Sequence, residues 1–189
     1  MTDARIVFVG GGVRCGKSAF ALVRARQLGQ RRLFLATAQA LDGEMHERIE
    51  RHRAERGSAF ETIEEPLALP EALARADADV VVIDCLTLWI SNLLLQDLGD
   101  EDVSQRMEQL SEVLAARRVH CVLVSSEVGM GVVPEHALGR RFRDCVGRAH
   151  QQLATLSDEL YFGVLGSMLR LRPGPMTLAT LEKLHDEPR

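Results

Sequence analysis

Arg5-Ile-Val-Phe-Val-Gly-Gly-Gly-Val-Arg-Cys-Gly-Lys-Ser18 is the stretch whose reading decides the fold. The apolar residues Ile6 to Val9 lead straight into Gly11-x-x-x-x-Gly16-Lys17-Ser18, and a helical pattern follows at once. That order predicts a buried strand, a glycine-rich turn and a helix start, the setting a phosphate-binding P-loop requires. Gly11, Gly12 and Gly16 allow the backbone N–H groups across Val13, Arg14 and Cys15 to turn inward around phosphate oxygens. The helix N-terminus beyond them adds partial positive charge. Lys17 can reach the outer phosphates as a point charge, and the Ser18 hydroxyl can ligate Mg²⁺. A nucleoside triphosphate is the expected ligand.

Bulk properties narrow the classes around that loop. With 189 residues the chain suits one α/β domain with a sizeable core and is short for two. It is 46% hydrophobic, 26% charged and 4% aromatic, as a globular protein should be. A formal net charge of −4 argues against a general nucleic-acid binder, as does the lack of aromatics interleaved on a basic surface. Cys15, Cys85, Cys121 and Cys145 are far apart, form no C-x-x-C pair, and read as reduced thiols. No signal pattern and no apolar run of membrane-spanning length is present, so a cytoplasmic protein without a membrane segment is expected.

Downstream, Ala19 to Leu28 reads as a helix closed by Gly29, and Leu33 to Thr37 as a second strand. Gly43 to Arg56, GEMHERIERHRAER, is helical by propensity and dense in charge. Met45, Ile49, His52 and Arg56 recur at four, three and four residues and so share one face. Arg48, Arg51, Arg53 and Arg56 around one imidazole suit phosphate recognition. The same residues also fit a solvated helix face with Glu47 and Arg51 as an i,i+4 pair.

Phe60 to Ile63 reads as a short edge strand and Leu67 to Ala76 as a helix. Val80-Val-Val-Ile-Asp84 is apolar on both faces, as in the centre of a parallel sheet, and ends in a carboxylate. An acid there lies at the edge where α/β sheets bind ligands. Asp84 therefore suits a Walker-B role on the Mg²⁺ side, or alternatively caps the helix expected over Leu86 to Leu95.

After an acidic connection, Leu98 to Asp102, the residues Val103, Met107, Leu110 and Leu114 mark an amphipathic helix. Val119 to Val124 is a further buried strand, running into the loop Ser125 to Pro134. Pro134 is expected in the first turn of a long helix with an apolar stripe of Leu138, Phe142, Cys145, Ala149, Leu153 and Leu156. Glu159 to Leu165 and Met168 to Leu171 around Gly166-Ser167 suggest an antiparallel hairpin. The whole reads as one domain over 1–175, a doubly wound, mostly parallel P-loop NTPase-like sheet with helices on both faces, followed by a tail over 176–189, helical or frayed.

Several stretches together resemble the bifunctional adenosylcobinamide kinase / adenosylcobinamide-phosphate guanylyltransferase family of cobalamin biosynthesis. They are the P-loop, Ala36-Thr37-Ala38, Asp42-Gly-Glu-Met45 leading to Arg48-Ile49 and Arg51-His52-Arg53, and Asp84-Cys-Leu-Thr-Leu-Trp-Ile-Ser-Asn-Leu94. Glu127-Val-Gly-Met-Gly-Val-Val-Pro134, followed by Arg141-Phe-Arg-Asp144 and Gly147-Arg148, completes the set. The chain departs from the family's usual residues at Cys15 (serine), Asp84 (glutamate) and Ser126 (asparagine).

The resemblance implies two reactions: phosphorylation of adenosylcobinamide with ATP or GTP, then transfer of GMP from GTP to adenosylcobinamide phosphate, giving adenosylcobinamide-GDP. It implies that His52 carries GMP in mid-reaction. It also implies that GTP is contacted by the P-loop residues 11–18, by Ala36, Thr37 and Ala38, by Arg53, Ala54, Glu55 and Arg56, and by Glu64 and Asp84. The family expectation is a homotrimer. The residue chemistry agrees with this, because a neutral imidazole near its unperturbed pKa of ~6.5 can attack phosphorus and be restored afterwards. A plain P-loop small-molecule kinase, or a non-catalytic nucleotide-gated regulatory module, would share the loop but not the histidine chemistry.

Overall fold

The computed structural model describes residues 4–39, 43–96 and 98–174. In chain order the elements are β1 (Ile6–Gly11), α1 (Lys17–Leu28), β2 (Arg32–Ala36), α2 (Gly43–Arg56), β3 (Glu61–Glu64), α3 (Leu69–Ala74) and β4 (Val80–Asp84). They continue with α4 (Leu86–Leu94), α5 (Asp100–Ala115), β5 (His120–Val124), α6 (Ala137–Leu156), β6 (Glu159–Val164) and β7 (Ser167–Arg172). The proposed tail, 176–189, lies outside the described residues.

The strands form one seven-stranded sheet in the order β3-β2-β4-β5-β1-β6-β7. Every neighbouring pair is parallel except the final hairpin of β6 and β7. Strand periodicity explains the two cores. Ile6, Phe8, Val81, Ile83, Cys121 and Leu123 point to one side, where they pack with residues of α3, α4, α5 and α6. Val7, Val9, Val80, Val82, Val122 and Val124 point to the other and meet Ala21, Leu22 and Ala25 of α1. Runs that are apolar at every position are what a sheet covered on both faces needs.

The amphipathic pattern of α5 holds, since Val103, Met107, Leu110 and Leu114 are all buried. The hairpin turns through Leu165 and Gly166, both at positive φ (51° and 75°), as a two-residue turn matched to strand twist requires.

Two expectations near α6 need correction. Pro134 stands in the loop rather than in the first turn, since the helix starts at Ala137 with His136 as N-cap. Leu138 is exposed, so the apolar stripe begins only with the partly buried Phe142 and continues through buried Cys145, Ala149 and Leu153. One helix N-terminal turn lies beyond the sheet's cover, which a stripe of spacing alone cannot reveal. The connection before α5 is also shorter than read, because Asp100 already belongs to the helix.

Candidate functional site: a cleft at the carboxyl edge of the sheet

The P-loop connects β1 to α1. Gly16, at φ 91°, takes the left-handed turn that starts the helix at Lys17. Gly11, at φ 149°, passes so close to β6 that a Cβ there would stand 2.6 Å from the Gly163 carbonyl oxygen. Between these glycines the buried Cys15 side chain is wedged, with its Sγ 2.6 Å from where a Cβ on Gly163 would stand. The Lys17 ammonium, itself buried, donates to the Gly12 carbonyl at 3.0 Å and so curls over the loop it serves.

Asp84 ends β4, in register with Ala36 of β2 on one side and Val124 of β5 on the other. The alternative role as a helix cap is not adopted, because the N-cap of α4 is Cys85 and no side-chain capping bond is present there. Thr37 is fully buried, and its hydroxyl donates to the Cys85 carbonyl at 2.7 Å while accepting the Cys85 N–H at 2.8 Å. Asn92 adds Nδ2–H bonds to the carbonyls of Thr37 (2.8 Å) and Pro66 (3.1 Å). The ends of β2 and β4 and the chain after β3 are thereby fastened together. Burial of the Cys85 thiol, helped by the Asp84 charge, pushes its pKa up to about 11.

These elements line an open cleft with about 670 Å³ of empty space, part of it continuous with solvent. Lys17, Ser18, Asp84, Glu64, Arg56 and Ser126 give it a polar lining. Phe34, Ala36, Ala38, Ile49, Cys85 and Leu88 supply the apolar part. A triphosphate with a flat base needs both kinds of wall. Arg56 is buried and lays its guanidinium 4.1 Å over the Phe34 ring. Its Nε is buried with no hydrogen-bond partner among the described residues. Burial pulls its pKa below the ordinary arginine range, with Asp84 opposing, Arg53 adding to the fall and Glu64 again opposing. The group stays charged regardless.

Of the residues singled out from sequence, Lys17, Ser18, Ala36, Ala38, Arg56, Glu64 and Asp84 thus meet at one cleft. The remaining P-loop residues form the turn beside it. Thr37 serves the framework through its side chain. Arg53 is exposed and pairs with Glu50 at 3.6 Å, and Ala54 is exposed as well. The side chains of His52 and Glu55, and those of Arg48 and Arg51, lie outside the described residues.

Sequence reasoning overlooked Phe34, Cys85 and Leu88. Phe34 stands two positions before Ala36, so strand alternation places both on one face and could have found it. Among the described residues no cluster of three or more His, Cys, Asp or Glu forms an all-protein metal cage. The Ser18 hydroxyl and the Asp84 carboxylate, both lining the cleft, are hard oxygen donors of the kind that suits Mg²⁺.

Comparison with known proteins fits this geometry. The family model described as cobinamide kinase / cobinamide phosphate guanyltransferase matches residues 7–171. The bifunctional adenosylcobalamin biosynthesis protein CobP of Pseudomonas aeruginosa is 42% identical over 169 residues, which cover 88% of this chain and 96% of that protein. CobU of Escherichia coli, of the same description, is 40% identical over 182 residues, covering 88% of this chain and 99% of the relative. CobU of Salmonella typhimurium is 35% identical over 182 residues, with the same coverage. With its P-loop, its sheet-edge cleft and a match over most of its length, the chain belongs to the cobinamide kinase / cobinamide phosphate guanyltransferase family.

Proposed function

We propose that this chain phosphorylates adenosylcobinamide with ATP or GTP and then transfers GMP from GTP to the resulting phosphate, giving adenosylcobinamide-GDP in cobalamin biosynthesis. The observation that carries the reading is the meeting, in one cleft, of the P-loop side chains Lys17 and Ser18, the carboxylate of Asp84, and Ile49 and Arg56 of α2. Residue 52 stands three positions after Ile49 and four before Arg56 on that helix.

In the first reaction the P-loop amides and Lys17 hold the triphosphate, and the corrinoid's aminopropanol hydroxyl attacks the γ-phosphorus. The hydroxyl proton is lost and the nucleoside diphosphate departs, so positioning and charge neutralisation supply the catalysis. In the second reaction a ring nitrogen of His52 displaces pyrophosphate from the α-phosphorus of GTP, forming a P–N bond. The phosphate oxygen of adenosylcobinamide phosphate then attacks the same phosphorus and frees the imidazole. Arg56 is suited to hold phosphate charge, since a guanidinium is always cationic and its Nε has no partner among the described residues. Ser18 and Asp84 would hold Mg²⁺, which neutralises phosphate charge when bound. Glu64 can accept from the paired N–H donors of guanine, which adenine lacks.

The substrates are small molecules, and no helix among the described residues is long and apolar enough to cross a membrane. A homotrimer in the cytoplasm is part of the reading, and sedimentation equilibrium checks the stoichiometry. The test of mechanism is labelling. GTP labelled at the α-phosphate should leave an acid-labile, alkali-stable GMP adduct on the wild type and none on His52→Ala, while γ-label should pass to adenosylcobinamide. Absence of the adduct in the wild type, or its persistence in His52→Ala, would leave a plain P-loop kinase.

A further inference from the structure

Beside the cleft, α6 contributes a buried polar linkage that the scheme above leaves unused. Ser125, at the end of β5, is fully buried. Its Oγ lies 3.0 Å from Thr87 Oγ1 in the first turn of α4 and 2.8 Å from Nε2 of His150 in α6. The Ser126 N–H donates to Thr87 Oγ1 at 2.6 Å. On the far side of the ring, His150 Nδ1 stands 3.6 Å from Glu127 Oε2, while Glu127 Oε1 accepts the Gly129 N–H. The Glu127 N–H donates in turn to the carbonyl of Gly11, at the start of the P-loop, at 2.9 Å. Phe8 packs edge-on against the imidazole with centroids 5.5 Å apart.

Proton bookkeeping gives this linkage one consistent direction. A backbone N–H only donates, so Thr87 Oγ1 accepts from Ser126. A carboxylate only accepts, so the Nδ1 that faces Glu127 carries the proton of the neutral ring, and Nε2 is left as an acceptor. Ser125 Oγ–H then donates to Nε2, and Thr87 Oγ1–H can donate to Ser125 Oγ. The 3.6 Å between Nδ1 and Glu127 is longer than a hydrogen bond and acts as a charge–dipole contact that favours the proton on Nδ1. Burial disfavours the charged ring and lowers its pKa against the opposing pull of Glu127, in keeping with the neutral form. The Ser–His–Glu order is not a nucleophilic triad, because no substrate can reach the fully buried Ser125 Oγ.

We propose that His150 is a positioning residue for the transfer reactions: by bonding Ser125 at 2.8 Å and lying against Glu127 at 3.6 Å it sets the 125–129 segment between the P-loop at Gly11 and the cleft wall at Ser126. The inference rests on the transfer chemistry proposed above for its kinetic readout. The nucleotide phosphates are held by P-loop amides and Lys17, none of which bonds to His150. Loss of the bridge therefore shifts the wall against which the reactants align and leaves nucleotide capture intact.

The test compares His150→Phe, which removes both polar ring atoms, with His150→Gln, which keeps an acceptor within reach of Ser125, and with Ser125→Ala. It also records the ring-nitrogen NMR spectrum of ¹⁵N-histidine-labelled wild type at neutral pH. Expected are a kcat lowered by about tenfold to a hundredfold in His150→Phe and Ser125→Ala, a KM for GTP within about twofold of wild type, and substantial recovery in His150→Gln. The spectrum should show the neutral Nδ1–H tautomer. Wild-type kcat in Ser125→Ala, a loss in KM for GTP alone, no recovery in His150→Gln, or an Nε2–H tautomer would each overturn the proposal. A wild type that transfers no GMP would instead defeat the functional reading, and the tautomer would still decide whether the bridge exists.

Discussion

At position 163 the absence of a side chain shapes the nucleotide loop from outside it. Gly163 pairs with Gly11 across β6 and β1, and Cys15 Sγ occupies the notch the two glycines leave. An alanine there would place its Cβ 2.6 Å from that sulfur and 2.8 Å from Met168 Cε. Met168 can swing its methyl aside, whereas Cys15 is fixed by the loop. Gly163→Ala should therefore cost about 1–3 kcal/mol in urea unfolding and weaken GTP binding. Cys15→Ala in that background should return part of both losses, because the colliding atom is gone; strict additivity of the two changes would argue against the contact. Cysteine in place of serine in the P-loop is thus matched to a glycine about 150 residues later in sequence. A sequence read in order does not expose that pairing. Thr37 makes a similar point, since its place between two cleft-lining alanines is legible, but its hydroxyl turns inward to Cys85.

Among the elements, α2 and the pair α3 and α5 show how differently charged helices are used. The charge-rich α2 contributes Ile49 and buried Arg56 to the cleft and leaves Arg53 in solvent, paired with Glu50. Helix α3 is clasped to α5 by Arg106, whose two Nη atoms donate to the two Glu71 oxygens at 2.7 and 2.8 Å. Those hydrogen bonds hold the Glu71 pKa down at about 2, against 4.5 for the free carboxyl. A carboxylate with a lowered folded-state pKa stabilises above its unfolded value, and the contribution disappears as pH falls through the folded one. Glu71 is 46% exposed, so screening limits the pair to at most about 1 kcal/mol. Glu71→Gln should be less stable than wild type by up to that amount at pH 7, and the difference should shrink as the pH drops from about 4.5 toward about 2. Denaturant titrations of both proteins across that range check it; a difference independent of pH would assign the effect to packing instead.

For the whole molecule, the cleft joins residues from β1–α1, β2, α2, β3, β4 and the segment after β5, so a nucleotide held as proposed would tie together most of the sheet's carboxyl edge. Binding to the folded state alone at a hundred times Kd should add about 2.7 kcal/mol, or roughly 5–10 °C in Tm for a domain of this size. Lys17→Ala should lose most of that shift at the same GTP concentration; an unchanged shift in a thermal melt would remove the P-loop assignment. The sequence by itself determined the elements and the faces of the strands, while helical spacing misplaces Val23 of α1 and Leu138 of α6, both exposed. Unbroken β-branched runs, helical spacing and a glycine turn ending in Lys17-Ser18 are local signals, each set by backbone sterics and by which side chains must leave water. Only the tertiary structure decided which loop ends meet. Parallel pairing in the order β3-β2-β4-β5-β1 brings Glu64, Ala36, Asp84, Ser126 and Lys17 to one edge, and packing α6 against β1 and α4 joins His150 to Ser125. Those partners are separated in sequence, and their contacts arise from burying both faces of one sheet, a constraint on the entire chain that no short window contains.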